Sequence, residues 1–482
     1  MDRYVKIVCT LGPSSNTREI IQELVKAGMN VARLNFSHGS HQDHGQLIDL
    51  IREISEDLGV AITILQDLQG PKLRIGKLPE GGITLKAGDP VVLSSSESFV
   101  CEDTEVFIPF EIPELHKALK PGNHILLDDG HLELEVKSVS GERIDADVIL
   151  GGQLKSNKGV NLPGATLSTS VFTEKDNEDL EFGLSKGIDM VAISFVQSAD
   201  DIVTVRNAVK NLAKDNKGKN TPIIAKLERP EALENLDEIM AVTEGVMVAR
   251  GDLGVEMSPA AVPVAQKEII ACANAHGRLV ITATQMLDSM INNPRPTRAE
   301  ATDIANAVFD GTDAVMLSGE TAAGKFPVES VNMMSAIVQH AEANRDKWGK
   351  LIPDGFQIPN SDPVSITRAA KEVANDRKVA SIVVFTQSGK TAKLMSKARP
   401  DVPIMAFTPE ITTYHQMALY WGVHPMLVPY ADTLETMIKH VETIIATATN
   451  LEKGQKVILI SGFPVGAFKP PNLALLYTLG DI

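Results

Sequence analysis

The chain is 482 residues long, 43% hydrophobic and 22% charged, with a formal net charge of −16. One hydrophobic core does not hold that length, so two to four domains are expected, with the composition of an ordinary soluble globular protein. The negative charge argues against a nucleic-acid or anionic-membrane partner, because phosphates are repelled, but leaves small anions, which respond to local fields, open. Cys9, Cys101 and Cys272 are isolated, with no metal spacing, and fit a reducing cytoplasm rather than a disulfide framework. The start MDRYVKIVC has no apolar signal core and no stretch is long enough to span a bilayer, so a cytoplasmic location is expected.

Eight short β-branched runs recur along the chain: VKIVCTLG (5–12), NVARLNFS (30–37), AITILQDL (61–68), MVAISF (190–195), PIIAKLE (222–228), GVMVARGD (245–252), LVITATQ (279–285) and AVMLSGET (314–321). Apolar runs of this kind belong to strands buried on both faces, as in a parallel sheet. Amphipathic helices separate most of them. NTREIIQELVKAG carries Ile20, Ile21, Leu24 and Val25 on one face and ends at Gly28, and QLIDLIREISEDLG repeats the pattern. RPEALENLDEIMAV and PVAQKEIIACANAHG follow the fifth and sixth runs, each with proline in its first turn. Eight such units predict a (β/α)₈ TIM barrel over residues 1–70 and 170–345.

The rhythm breaks between Pro71 and about Thr169, where short alternating runs separated by turn residues predict an inserted small β-barrel domain over 71–169. Entering after the third strand, at the catalytic end, it is placed to act as a lid. A polar, proline-bearing linker (KLIPDGFQIPNSDPVS) leads to a third domain over 346–482, whose helix–strand alternation predicts a doubly wound α/β sheet.

In a TIM barrel the chemistry sits at the C-terminal ends of the strands, and here those ends gather the polar residues. Lys226 and Glu228 alternate by two and point to the same side of their strand, and Asp252 closes the next run. Two carboxylates there can share a hard divalent cation, although Lys226 and Glu228 can also form a purely structural pair. Gly251 lets the backbone turn closely, with amides available to an anion. Thr284 can donate to a carboxylate or cap the helix that follows. Arg33, Asn35 and Ser37 share one side of their strand end with His38 at its tip, and a planar guanidinium beside a metal suits a phosphate. Asp67, Lys72 and Arg74 mark the entry to the inserted domain and Lys175 its exit. An acidic chain that gathers these cations around one metal points to phosphoryl transfer, where positioning and charge neutralisation are most of the catalysis. In the third domain TQSGKTA (386–392) stands between a strand and a helix, so backbone amides with Thr386, Ser388, Lys390 and Thr391 can cradle a phosphate, or simply start the helix.

Taken in order, NVARLNFSHG, DLQGPK, GVNLPG, TEKD, IIAKLE, MVARGDLGVE, ATQMLDSM, RPTRAEATDIANAV and MLSGETAAGK resemble the pyruvate kinase family over the whole chain. The resemblance implies transfer of phosphate from phosphoenolpyruvate to ADP, giving pyruvate and ATP. It implies Mg²⁺ or Mn²⁺ on Glu228 and Asp252, Lys226 neutralising the phosphoryl group in flight, and Arg33 contacting it. It also implies a substrate-carboxylate seat at Gly251, Asp252 and Thr284, and a water relay linked with Thr284 and Ser318. Asn35, His38, Arg74 and Lys175 match positions near the nucleotide phosphates, and the nucleotide brings a second divalent ion. The third domain is expected to bind a phosphorylated effector, and the family is commonly homotetrameric. One departure matters. Many members hold K⁺ and carry glutamate where this chain has Lys72; the triplet Leu68, Gln69 and Lys72 resembles the branch that works without potassium. An ammonium at Lys72 supplies the charge of the monovalent ion, so K⁺ is not expected to be required. Two rivals remain: another metal-dependent barrel enzyme acting on a 2-oxo acid, and a non-catalytic, effector-sensing relative.

Overall fold

In the computed structural model the described residues are 3–348, 361–449, 451–465 and 469–481, apart from residues 72, 97–98, 100, 102–104, 113, 129, 166–169 and 215–217. Lys72 and most of the expected linker therefore lie outside the described residues.

The eight runs become eight parallel strands: β1 (Lys6–Thr10), β2 (Val31–Asn35), β3 (Thr63–Asp67), β4 (Met190–Ile193), β5 (Ile223–Leu227), β6 (Gly245–Ala249), β7 (Leu279–Ala283) and β8 (Ala314–Leu317). They close into a barrel in sequence order, β8 pairing back onto β1. Nearly every strand residue is buried, which is why the runs are continuous rather than alternating. Val8, Val31, Leu65, Met190, Ile224, Met247 and Ile281 fill the barrel interior, and a second apolar layer packs the strands against the outer helices.

The helices start and stop where the local chemistry predicts. Helix Arg18–Ala27 is capped by Thr17 and ends at Gly28, whose φ of 121° suits glycine. Helix His41–Leu58 begins with a Ser40/Asp43 capping box, more than a turn earlier than the apolar periodicity indicates. The helix expected over RPEALENLDEIMAV is instead two, Pro230–Glu234 and Leu236–Val242, broken at Asn235. There the Asn235 side-chain amide donates to the Gln197 carbonyl at 2.9 Å, tying the junction to the neighbouring unit.

The chain leaves the barrel after β3 and builds a six-stranded and a two-stranded sheet around their own apolar core. Arg74 bridges to Gly159, beside one edge of the larger sheet, while Ile75 bridges to Phe110, beside the other. Residues 74–75 thus join the two edges and close the small barrel. The chain re-enters at helix Glu174–Ser185, opened by a Thr173/Asp176 capping box.

The third domain is a five-stranded sheet in which Ser381–Phe385, Ile404–Thr408, Val423–Leu427 and Lys456–Ser461 run parallel and Leu473–Thr478 is antiparallel. It packs on the N-terminal end of the barrel. Thr63 Oγ1, at the start of β3, donates to the His415 carbonyl at 2.6 Å, and Lys6 Nζ, at the start of β1, donates to that of Val423 at 2.7 Å. The barrel's C-terminal end stays free for the inserted domain. No helix of the described residues is long and apolar enough to cross a membrane.

Candidate active site

At the C-terminal end of the strands, under the inserted domain, lies a cavity of about 160 Å³. Barrel residues Arg33, Asn35, Ser37, Lys226, Glu228 and Asp252 line it, and Gly159, Val160 and Asn161 line it from the inserted domain.

Lys226 is the hub. Residue by residue, β5 alternates between the outer helices and the barrel interior, and Lys226 projects inward near the top. Its Nζ donates to Ser194 Oγ at 2.7 Å and lies 3.0 Å from Glu228 Oε1 and 3.3 Å from Asp67 Oδ1. Burial opposes its charge, but Asp67 and Glu228 outweigh that and hold the Lys226 pKa above the ordinary lysine value, so the ammonium persists at neutral pH. Arg33, on β2, donates through Nε to Asp67 Oδ2 at 2.6 Å and through a terminal nitrogen to Thr10 Oγ1 at 2.9 Å. Asp67 is fully buried. Although burial favours its neutral form, Arg33 and Lys226 hold its carboxyl below the usual range. It is the counter-ion that keeps two cations side by side.

Glu228 is 2% exposed and accepts the Phe195 amide at 2.8 Å, which holds one carboxylate oxygen in place. Asp252 does not close its strand as the sequence suggests. β6 ends at Ala249, and Asp252 stands in the first turn of the short helix Arg250–Glu256, still on the cavity wall. This oxygen-only carboxylate pair suits Mg²⁺ or Mn²⁺.

Other predicted residues lie outside the cavity lining. The Gly251 amide, expected to face an anion, donates to Thr284 Oγ1 at 2.7 Å. That hydroxyl in turn donates to the Ala283 carbonyl, so Thr284 caps the helix that begins after β6 rather than one that follows Thr284 itself. Ser318 begins the short helix Gly319–Ala322, its amide donating to Glu320 at 2.7 Å. Lys175 is bound to Asp179 at 2.5 Å and to the Phe36 carbonyl at 2.9 Å. Arg74 donates to the Asn157 carbonyl within the inserted domain, and His38 sits exposed in the turn after β2.

Four polar cavity residues escape sequence reasoning. Ser194 closes β4 and donates to the Leu68 carbonyl while accepting from Lys226. Arg229 is buried, its Nε has no hydrogen-bond partner, and its guanidinium lies 5.8 Å over the Phe195 ring. Asn161, from the inserted domain, donates to Glu256 at 2.8 Å, tying the lid to the helix that carries Asp252. Burial pushes the Glu256 pKa upward. The motifs ISF, LERP, GVNLPG and GDLGVE contain these residues, so position in a strand-end motif was the available clue.

Opposite the barrel mouth, in the third domain, a cavity of about 510 Å³ is lined by Thr386, Ser388, Lys390 and Thr391, with Tyr430, His440 and Lys469 across from them. Helix Lys390–Lys397 begins there behind Gly389, whose φ of 74° suits glycine.

Fold and site together define a (β/α)₈-barrel enzyme whose barrel mouth gathers cationic side chains beside a pair of carboxylates. Sequence models of the pyruvate kinase barrel domain and of the pyruvate kinase alpha/beta domain match residues 2–331 and 364–475. The chain is 45% identical to a pyruvate kinase of Agrobacterium vitis over 96% of both chains. It is 43% identical to that of Staphylococcus saprophyticus over 99% of this chain and 81% of that one. A solved pyruvate kinase from Cryptosporidium parvum superposes with a TM-score of 0.91 at 34% identity, over 99% of this chain and 96% of that one. The chain belongs to the pyruvate kinase family.

Proposed function

We propose a division of labour at the barrel mouth of this pyruvate kinase, which transfers the phosphoryl group of phosphoenolpyruvate to ADP, giving pyruvate and ATP. The observation that carries it is Lys226, a buried ammonium held charged by Asp67 and Glu228 with the Arg33 guanidinium beside the same carboxylate. Arg33 orients the phosphoryl group, and Lys226 balances the charge that spreads over its oxygens in the transition state. Arg229, with an unpartnered Nε on the cavity wall, adds a further donor. Glu228 and Asp252 hold Mg²⁺ or Mn²⁺, which when bound polarises substrate oxygens. Gly251, Asp252 and Thr284 seat the substrate carboxylate once the Gly251–Thr284 hydrogen bond opens, and Thr284 and Ser318 serve the water relay that protonates the enolate. Asn35, His38, Arg74 and Lys175 serve the nucleotide phosphates, Lys175 first leaving Asp179. The Asn161–Glu256 contact supports closure of the inserted domain as the step that excludes water.

Lys72 takes the place of potassium in this reading, and the cavity around Ser388 and Lys390 takes a phosphorylated effector. On the family resemblance the enzyme is a cytoplasmic homotetramer.

The test is pyruvate release from phosphoenolpyruvate and ADP in the wild type and in Asp252→Asn. The variant keeps the fold, loses most of its turnover and needs far more Mg²⁺. Wild-type activity of the variant at limiting Mg²⁺ overturns the metal assignment; no pyruvate from the wild type overturns the function.

A further inference from the structure

Away from the barrel mouth, Asp237, Cys272 and His276 each offer one metal-ligating atom, and these atoms lie within 4.8 Å of one another. Asp237 stands in the first turn of helix Leu236–Val242, Cys272 in the last turn of helix Val262–Ala275, and His276 caps the latter's end. Four residues apart, Cys272 and His276 share one face of that helix. The two helices pack side by side on the outer wall of the barrel, one after β5 and the other after β6.

The spacing is that of a cation site. Cys272 Sγ is 3.4 Å from Asp237 Oδ1, and His276 Nε2 is 3.7 Å from the same oxygen. Tetrahedral zinc bonds of about 2.0–2.3 Å put neighbouring ligand atoms roughly 3.3–3.8 Å apart. A second observation concerns the imidazole. Its Nδ1 lies 3.0 Å from the Cys272 carbonyl oxygen, an acceptor, so Nδ1 carries the proton and the Nε2 lone pair is free. A ring held in one tautomer by a backbone carbonyl is how metal-binding histidines are usually oriented. Cys272 Sγ lies 3.6 Å from Nδ1, so closing on an ion between Oδ1 and Nε2 requires the sulfur to turn about its own χ1. The Asp237 side chain is 85% exposed, which lets a hydrated ion reach the site and keeps a fourth position open to water.

We propose that Asp237, Cys272 and His276 bind a borderline-soft divalent ion, Zn²⁺ above all, at a site separate from the carboxylates of the barrel mouth. One thiolate, one imidazole and one carboxylate suit Zn²⁺ and disfavour Mg²⁺, which requires oxygen ligands. Binding displaces the thiol proton to solvent; no electron moves. The ion braces the helix after β5 to the helix after β6, behind the strands that precede Glu228 and Asp252.

The full-length enzyme is titrated in saturating Mg²⁺, so that the active-site carboxylates are occupied. Co²⁺ is the spectroscopic probe. The wild type gives a thiolate-to-cobalt charge-transfer absorption that Cys272→Ser abolishes. Zn²⁺ binds at one site per chain, at least about tenfold more weakly in Cys272→Ser and in Asp237→Asn. Zn²⁺ also slows alkylation of Cys272 in the wild type, and excess Mg²⁺ does not. Asp237→Asn changes only an exposed side chain, so it remains informative if the cysteine variant folds poorly. Absence of the cobalt–thiolate band in the wild type overturns the proposal, as does Zn²⁺ affinity that is unchanged in both variants.

Discussion

Lys226 shows how a buried charge becomes useful. Alone, burial would lower the pKa of an ammonium in that position; Asp67 and Glu228 reverse the sign of the shift. Its charge is therefore present before substrate arrives and requires no reorganisation during the reaction. Lys226→Met removes it and is expected to lower turnover by two to three orders of magnitude, about 3–4 kcal/mol of transition-state stabilisation. Proton exchange on pyruvate suffers less. Single-turnover phosphoryl transfer within about tenfold of wild type would show that the lysine is only structural. The second residue-scale expectation concerns Lys72. Asp67 already has Arg33 and Lys226 as partners, and on the proposed reading the Lys72 ammonium would further disfavour a bound monovalent cation by Coulomb repulsion. The wild type should run near its full rate in a bulky organic cation without sodium or potassium. In Lys72→Glu activity should fall and recover at least partly with K⁺. Strong K⁺ activation of the wild type would refute the surrogate role and leave the kinase assignment standing.

Helix Lys390–Lys397 is the element that spans two regions. Its first residues line the third-domain cavity, while Lys393 Nζ donates to the Glu244 carbonyl at 2.9 Å, directly before β6. Lys397 lies 2.5 Å from Asp313, directly before β8. β6 leads to Asp252 and β8 to Ser318, so one helix touches the third-domain cavity at one end and the roots of two strands that lead to the barrel mouth along its length. Ser388→Ala combined with Lys390→Ala should leave basal turnover unchanged and abolish activation by a phosphorylated metabolite. A coupling of about 1–3 kcal/mol, roughly five- to 150-fold in affinity, is ordinary for such a site. An unchanged activation constant in the double variant would mean that the loop merely starts the helix.

At the scale of the whole molecule, the third domain is anchored by charge as well as by apolar packing. Asp313, at the root of β8, is fully buried between Lys397 at 2.5 Å and Arg399 at 2.7 Å, and accepts the Val280 amide. Arg399 also stacks 4.6 Å from the Trp421 ring. Asp313→Asn leaves the buried Arg399 guanidinium, and Lys397, whose pKa burial already lowers to about 7, without their anion and should destabilise the protein by about 3–5 kcal/mol. Burial favours the neutral carboxyl, yet Lys397 and Arg399 prevail and hold its pKa below the ordinary value. A depressed folded pKa means that this contribution is present above the unfolded value of about 3.9 and disappears as pH falls through the folded one. Denaturant melts of wild type and variant should therefore differ most near neutral pH and converge in acid. An equal gap at all pH values would show that the carboxylate charge is not what holds the domains together.

The eight barrel strands were legible because a strand buried on both faces must be apolar without interruption, and that pattern is local. Inward projection of Lys226 and Glu228 was legible too, from the two-residue alternation of a strand. The edge strands Val423–Leu427 and Leu473–Thr478 were not. The first carries His424 and Pro425, which only an edge tolerates, and the second alternates too briefly to stand out. Nor did local pattern show the helix break at Asn235, whose side chain is tied to the distant Gln197 carbonyl. The site divides the same way. Residue type and strand-end position identified Arg33, Lys226, Glu228 and Asp252. Only the closed barrel made Asp67 the shared counter-ion, placed Ser194 under Lys226, turned the Thr284 hydroxyl onto Gly251 and joined Asn161 to Glu256. Those contacts cross 32 to 95 residues of chain. Periodicity reports which face a side chain takes. Which other face it meets is decided by strand order and register, and these exist only once the barrel has closed.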